Sequence, residues 1–315
     1  MTTTPTINDI LAAAENIRPY VHRTPVLTSE NLDNLLGCHM FFKCENFQKA
    51  GAFKSRGAVN AVFSLGNAQL KAVVATHSSG NHAAALSRAA MLRGIDAHIV
   101  MPEKSSAVKI AAVKQYGGKI TFCKANLASR EETLEKVIAK TNATEIHPYN
   151  NPVIIAGQAT AAKELIEDAG TPDIMMAPVG GGGLLSGTSL SVKYLAPGTK
   201  VIAAEPEQAD DARRSFQAKK FIPSVNPDTL ADGLRTSLGS ITFPIILENV
   251  DDIVTVSEKA IVNAMKLMWE RMKIIVEPSS AVPLAALMEN KFEYRNKKIG
   301  IIISGGNVDL ANLPW

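Results

Sequence analysis

The segment Asn46-Phe47-Gln48-Lys49-Ala50-Gly51-Ala52-Phe53-Lys54-Ser55-Arg56-Gly57-Ala58 stands between two readable elements. Before it runs the strand-like Met40-Phe41-Phe42-Lys43-Cys44, and after it a helix opens over Ser55 to Phe63. Lys54 therefore occupies a loop-to-helix junction, where the positive end of the helix dipole and any burial both disfavour an ammonium. An amine so placed is a candidate nucleophile at neutral pH, set against the plainer reading of a solvated surface lysine.

Outward from this point the chain alternates. On the N-terminal side, a helix pattern over Ile7 to Ile17 precedes the extended Arg23-Thr24-Pro25-Val26-Leu27. On the other side, Ala72 to Thr76 is a short β-branched run of the buried-strand type, broken at His77-Ser78-Ser79-Gly80-Asn81-His82 before a helix from Ala83 to Arg93. Strand Ala97 to Met101, helix Ser105 to Tyr116, strand Lys119 to Cys123 and a helix from Ser129, capped by Ser129 and Glu132, continue the series. A strand near Glu145 to His147 and a helix from Val153 to Asp168 follow. Ile174 to Val179, Lys200 to Ala204, Asp252 to Val256 and Lys298 to Ile303 read as later strands, with helices at Leu184 to Leu195, Ala209 to Lys219, Ser257 to Arg271 and Pro278 to Asn290. Such alternation predicts an α/β protein with mostly parallel sheets wrapped on both faces.

Composition bounds the function. The 315 residues are 46% hydrophobic and 20% charged, which is globular. Thirty-three basic against 30 acidic residues leave a net charge of +3, too small and dispersed to argue for nucleic acid. No apolar run reaches the ~18 residues of a membrane span, and Met1 to Pro5 lacks a cationic and apolar leader. Cys38, Cys44 and Cys123 form no C-x-x-C pair and read as reduced core thiols. A cytoplasmic globular protein is expected. His22, His39, His98 and His147 are scattered and assemble no metal-ligand spacing.

Two loops carry further chemistry. Val179-Gly180-Gly181-Gly182-Gly183-Leu184-Leu185-Ser186-Gly187 joins a strand to a helix, so successive backbone N–H groups can converge on an anion at a helix N-terminus. No Gly-Lys-Ser/Thr follows and no register satisfies G-x-G-x-x-G, which favours a compact phosphate monoester over a nucleotide. The Ser78 to His82 turn gathers hydroxyls, an amide and free N–H groups where a carboxylate could dock, although a simple helix cap would need only one of them.

Taken together, Phe53 to Ala58, Ser78 to His82, the tetraglycine loop and Ser304-Gly305-Gly306-Asn307 resemble the fold-type II pyridoxal-phosphate enzymes, in particular serine racemase and the serine, threonine and 3-hydroxyaspartate dehydratases. The resemblance spans nearly the whole chain and implies a tryptophan-synthase-β-like fold. It implies a large cofactor-binding domain from residues 1–73 and 152–315, and a small substrate-closing domain from 74–151. Lys54 would be joined covalently to pyridoxal 5'-phosphate, Gly180, Gly181, Gly182, Gly183 and Leu184 would bind its phosphate, and Asn81 its phenolic oxygen. Phe53 and Gly233 would pack close to the cofactor, Ser304 would face the pyridine nitrogen, and Glu277 would lie near the same ring edge unless it serves the next helix N-terminus.

Inversion at an α-carbon needs a proton donor or acceptor on each face. Lys54 would serve one face and Ser79 the other; Ser79 stands where many simple threonine dehydratases carry alanine. Both racemisation and dehydration of serine are therefore expected. Ser78, Ser79, Gly80, Asn81 and His82 would receive the substrate carboxylate, and Thr236 would place a hydroxyl near the substrate. Arg130 could pair with a β-carboxylate, which keeps 3-hydroxyaspartate or aspartate open as substrate, and the enzyme alternative is a 3-hydroxyaspartate or threonine ammonia-lyase. Tyr149, where mammalian-type racemases are expected to have asparagine, looks more like the dehydratase pattern. Glu205, Asp211 and the Ala209 carbonyl resemble the divalent-cation site of serine racemase, an all-oxygen set suited to Mg²⁺, Ca²⁺ or Mn²⁺. The resemblance also implies a homodimer. Ala50 replaces the threonine expected beside Lys49, which weighs against an ATP effector. The rival of another class is an amino-acid-binding regulatory protein that kept the fold without the chemistry.

Overall fold

The computed structural model describes residues 4–66, 73–78, 80–290 and 293–315. Two sheets organise them. The six-stranded sheet runs β1 (Val26–Leu27), β2 (His39–Cys44), β10 (Lys298–Ile303), β7 (Ile174–Pro178), β8 (Lys200–Pro206) and β9 (Asp252–Val256), parallel throughout except for β1 against β2. The four-stranded sheet is all parallel in the order β5 (Lys119–Cys123), β4 (Ala97–Pro102), β3 (Val74–His77) and β6 (Thr144–Glu145). Parallel strands need crossovers, and the helices between them cover both faces. Hence β7 and β3 are buried end to end, which is why they read as unbroken runs and not as alternation.

Helix ends follow local chemistry. Thr6 and Asp9 form a capping box at the start of α1 (Ile7–Ile17), and Ser257 caps α11 (Glu258–Met272). Pro152 and Pro278 open α7 (Pro152–Ala169) and α12 (Pro278–Glu289), where a missing N–H costs nothing. One expected cap is corrected: α6 (Leu127–Thr141) begins before Ser129. Asn126 accepts the Ser129 N–H at 2.8 Å, while the Ser129 hydroxyl turns back to the Lys124 N–H at 3.2 Å. Two helices escaped the sequence reading, α2 (Glu30–Leu36) and α10 (Thr242–Asn249). Both are short; Ser29 and Gly37 cap the ends of α2, and packing of Leu32, Leu36, Ile245 and Ile246 into the core supports the two helices.

Three buried clusters set the architecture. One fills the α11–α12 face of the large sheet around Met176, Phe42 and Ile301; another fills the opposite face beneath α7 and α8 (Gly183–Leu195). The third lies beneath the small sheet, where Ile99 and Met101 meet α4 (Asn81–Arg93) through Leu86 and Ala89. Helix α3 (Lys54–Phe63) contributes Val59 and Val62 to this third cluster, while Phe53, just before it, packs in the second. The start of α3 therefore sits at the junction of the two sheets, which puts Lys54 in the cleft between them.

Candidate active site

Helix α3 is held by a buried charge network. The Arg56 guanidinium donates to both Glu45 carboxylate oxygens at 2.8 Å and to Glu164 at 2.7 Å, while the fully buried Lys43 pairs with Glu164 at 2.7 Å. Burial works against the Arg56 charge, but Glu45 and Glu164 outweigh it and raise its pKa. Gly57 lets α7 approach closely: a Cβ there would stand 2.9 Å from the Ile154 carbonyl. On this fixed helix the Lys54 amine donates to the Pro148 carbonyl at 2.9 Å and lies 5.1 Å from the centre of the Phe53 ring. Desolvation lowers its pKa from 10.5 to about 8, with the Glu277 charge opposing the shift.

Facing it is the glycine loop at the head of α8. A Cβ at Gly180 would meet Leu234 Cα at 2.8 Å, one at Gly181 the Tyr149 ring at 2.4 Å, and one at Gly183 the Gln158 Oε1 at 2.7 Å. Gly182 adds a φ of +85°, a region open to glycine and strained for other residues. No side chain caps α8, so the N–H groups of its first turn are left for a ligand.

Between the lysine and the four-stranded sheet lies the turn leading into α4. Ser78 Oγ accepts the Gly80 and Ala83 N–H groups, both at 3.3 Å, which is the helix-cap role. Ser79 lies outside the described residues. Asn81 is the first residue of α4; its amide donates to Glu277 Oε1 at 2.7 Å and its carbonyl accepts from Asn307 at 3.0 Å, leaving one amide hydrogen toward the cleft. His82 bonds the Ile146 carbonyl at 3.1 Å, and burial, with Lys54 nearby, keeps it neutral. Glu277 makes no cap bond to α12: its carboxylate is spent on Asn81 instead. Burial pushes the Glu277 pKa up to about 7, with Lys109 opposing and Asp232 reinforcing that rise. At the far end, Ser304 Oγ sits 3.0 Å from Ser280 Oγ, which accepts the Gly305 N–H at 2.7 Å and donates to the Gly305 carbonyl at 2.6 Å.

These residues line one cleft of about 970 Å³, its open mouth included. It gathers Phe53, Lys54, Ser78, Gly80, Asn81, His82, Arg130, the glycines from Gly180 to Gly183, Leu184, Gly233, Thr236, Glu277 and Ser304 from elements far apart in sequence. Arg130 Nε is buried there with no hydrogen-bond partner among the described residues. Thr236 Oγ1 lies 2.9 Å from the Tyr149 hydroxyl, and Gly233 N–H donates to Ser279 Oγ at 3.2 Å. The cleft also contains residues that sequence reading did not single out, namely His77, Lys109 and Asp232. Burial and Arg130 depress His77 to a pKa of about 4, so it is a neutral wall. Nothing local marks Lys109 apart from Lys114 on the same helix, α5 (Ala107–Gln115); only packing brings it to the site. His147, read as a structural histidine, accepts the Tyr149 and Asn150 N–H groups at 3.3 and 2.9 Å and so shapes the turn that presents Tyr149.

Glu205, Ala209 and Asp211 lie apart from the cleft lining, where β8 meets α9 (Asp211–Ala218). Glu205 accepts the Ala212 and Arg213 N–H groups at 3.0 and 2.9 Å, and burial pushes its pKa up to about 9. Asp211 is as buried, and neither carboxylate oxygen has a hydrogen bond of normal geometry among the described residues. Burial raises its pKa to about 6, against the weaker pull of the nearby Ser224 hydroxyl. No cluster of three or more His, Cys, Asp or Glu side chains with metal-holding geometry occurs among the described residues. All three cysteines are free and buried, and no described helix is long and apolar enough to cross a membrane.

Comparison with known proteins agrees with this geometry. A family model described as pyridoxal-phosphate dependent enzyme matches residues 17–305. The chain is 54% identical over 311 residues to the beta-hydroxyaspartate dehydratase of Paracoccus denitrificans, covering 99% of each chain. It is 50% identical over 315 residues to the serine racemase of Dictyostelium discoideum, covering 98% of this chain and 97% of that one. Its fold superposes on maize serine racemase with a TM-score of 0.95 at 47% identity, over 98% of this chain and 95% of the other. The chain therefore belongs to the pyridoxal-phosphate-dependent enzymes, of fold type II.

Proposed function

We propose that this enzyme racemises serine and dehydrates β-hydroxy amino acids, serine and 3-hydroxyaspartate among them, with Lys54 as the residue that carries pyridoxal phosphate. The observation that carries the reading is a partly neutral amine facing a side-chain-free anion cradle across one cleft. The residues fit the cofactor: Gly180 to Gly183 line the same cleft as Lys54, and no side chain caps α8, so the N–H groups of its first turn can meet an anion there. Gly180 to Gly183 and Leu184 would hold the phosphate, Ser304 the ring nitrogen, Asn81 the phenolic oxygen, and Phe53 and Gly233 the ring's surroundings. Bound pyridoxal phosphate supplies the electron sink that acidifies the substrate α-hydrogen. A serine hydroxyl at the ring nitrogen, unlike a carboxylate, does not enforce a cationic ring.

The protein's own groups then divide the work. Lys54, held neutral in part by desolvation, takes the proton on one face of the α-carbon. Ser79 is assigned the other face from its place in the sequence. The turn at Ser78, Gly80 and Asn81, with His82 beneath it, binds the α-carboxylate at the start of α4. Residues 74–151 are taken as a small domain that closes on 1–73 and 152–315, excluding water.

Arg130 favours a second substrate. A buried guanidinium nitrogen without a partner is costly unless an anion arrives, and a β-carboxylate supplies one; Thr236 and Tyr149 would face the β-hydroxyl. Glu205, Asp211 and the Ala209 carbonyl are assigned to Mg²⁺, or to Ca²⁺ or Mn²⁺, because two buried carboxylates, one unsatisfied, suit a hard cation. A cytoplasmic homodimer completes the reading, on the family resemblance and the reduced cysteines.

The test is to incubate pure enantiomers of serine and of 3-hydroxyaspartate with holoenzyme and follow both enantiomer and keto-acid formation. Lys54→Ala should lose the visible absorbance and all activity. Ser79→Ala should lose inversion while keeping elimination from L-serine, and Arg130→Met should lose 3-hydroxyaspartate turnover far more than serine turnover. Unchanged inversion in Ser79→Ala would overturn the two-face assignment.

A further inference from the structure

Lys109 is a buried cation that the proposed chemistry does not use. It projects from α5, in the part of the chain carrying the four-stranded sheet, and pairs with Asp232, the first residue of the 3-10 turn Asp232–Leu234. Its side chain is only 10% exposed, against 43% for Asp232. The aliphatic stem lies over Gly80, where a Cβ would stand 2.7 Å from Lys109 Cδ and 3.2 Å from its Nζ. At the other end, Asp232 leads into Gly233 and Leu234, whose backbone sits 2.8 Å from a Cβ position at Gly180. One end of the ion pair thus rests on the turn that presents Asn81, and the other on the backbone that supports the glycine cradle.

We infer that the Lys109–Asp232 pair is a strut across the cleft that sets the Gly80–Asn81 turn against the glycine cradle, Lys109 acting as a positioning residue through Gly80 and not by touching the ligand. A half-buried pair suits that role: removing one partner strands the other charge, so the pair holds its geometry more firmly than a solvated one. The charges also act on Glu277, which holds Asn81. Lys109 and Asp232 push its pKa in opposite directions, alongside the Asn81 amide, the Asn307 backbone and Lys54. The inference rests on reading the cleft as the amino-acid site, but part of its test does not need turnover.

The experiment compares holoenzymes carrying K109M, K109R, D232N and the double change K109M/D232N. Without substrate, hydrogen exchange of the peptide around residues 73–90 should speed up in K109M and in D232N, stay slow in K109R, and be no faster in the double variant than in either single one. With L-serine, K109M and D232N should each raise KM by about tenfold and change kcat by less than about threefold. The limb of the pH profile governed by Glu277 should move up in K109M and down in D232N, opposite shifts that loss of packing alone would not produce. Additive effects in the double variant, unchanged exchange in both single variants, or pH limbs moving the same way would each overturn the strut. If serine is not turned over at all, the proposed reaction fails while the exchange data still decide this inference.

Discussion

At pH 7 an amine of pKa 10.5 is neutral in about one molecule in three thousand, whereas one at about 8, the value Lys54 reaches, is neutral in about one in ten, a gain of about 300-fold. The cause is desolvation in the cleft, and it outweighs the favourable charge of Glu277. The same shift is a stability term of about 3 kcal/mol. Because the folded pKa lies below the unfolded one, that stability is fully present above pH 10.5 and is lost as pH falls through about 8. Cofactor-free protein should therefore be treated with a trace of acetic anhydride across a pH series spanning both values, reading the acetylated fraction of the Lys54 peptide against surface lysines by mass spectrometry. Lys54 should label with a midpoint near 8, and in Glu277→Gln the midpoint should fall further, since a charge that favours the ammonium has been removed. A midpoint at the ordinary 10.5 would refute the desolvation argument, and with it the claim that this amine is primed by its surroundings.

Other expectations follow from the same geometry. Gly180→Ala should weaken pyridoxal phosphate binding at least about tenfold and cost about 1–3 kcal/mol in urea unfolding, because the new methyl meets backbone at Leu234 and cannot be accommodated by rotating a side chain. Gly198→Ala, which meets nothing within 4 Å, should stay within about 0.5 kcal/mol of the parent in the same titration. Arg56→Met should lower unfolding stability by about 3–5 kcal/mol, since Glu45 and Glu164 would lose the guanidinium they share in the core; an effect under about 1 kcal/mol in urea titration would contradict the buried network. Mg²⁺ should raise the thermal midpoint of the parent protein, with a chelator reversing it, and should leave Asp211→Asn unmoved; equal shifts in both would remove Asp211 from the cation site.

Much of the site could be read from local patterns, because local sterics wrote it. Four successive glycines between an apolar strand and an apolar helix allow only a close backbone approach, and Pro152 and Pro278 announce helix starts without reference to the rest of the chain. Continuous apolar runs at Ile174–Pro178 and from Ile299 to Ile303 announced strands buried on both faces. Other features required three dimensions. Glu277 could have served its own helix or a distant partner, and only the approach of Asn81 across 196 positions decided for the partner. Lys109 and Lys114 are alike on paper, and burial of one beside Asp232 separates them. The Lys54 shift arises from water excluded by two sheets meeting over it, a long-range property that no neighbouring residue encodes. Local sequence governs backbone shape because sterics act between neighbours; charge states and pairings depend on which distant groups remove the solvent, and that was settled only when the chain closed on itself.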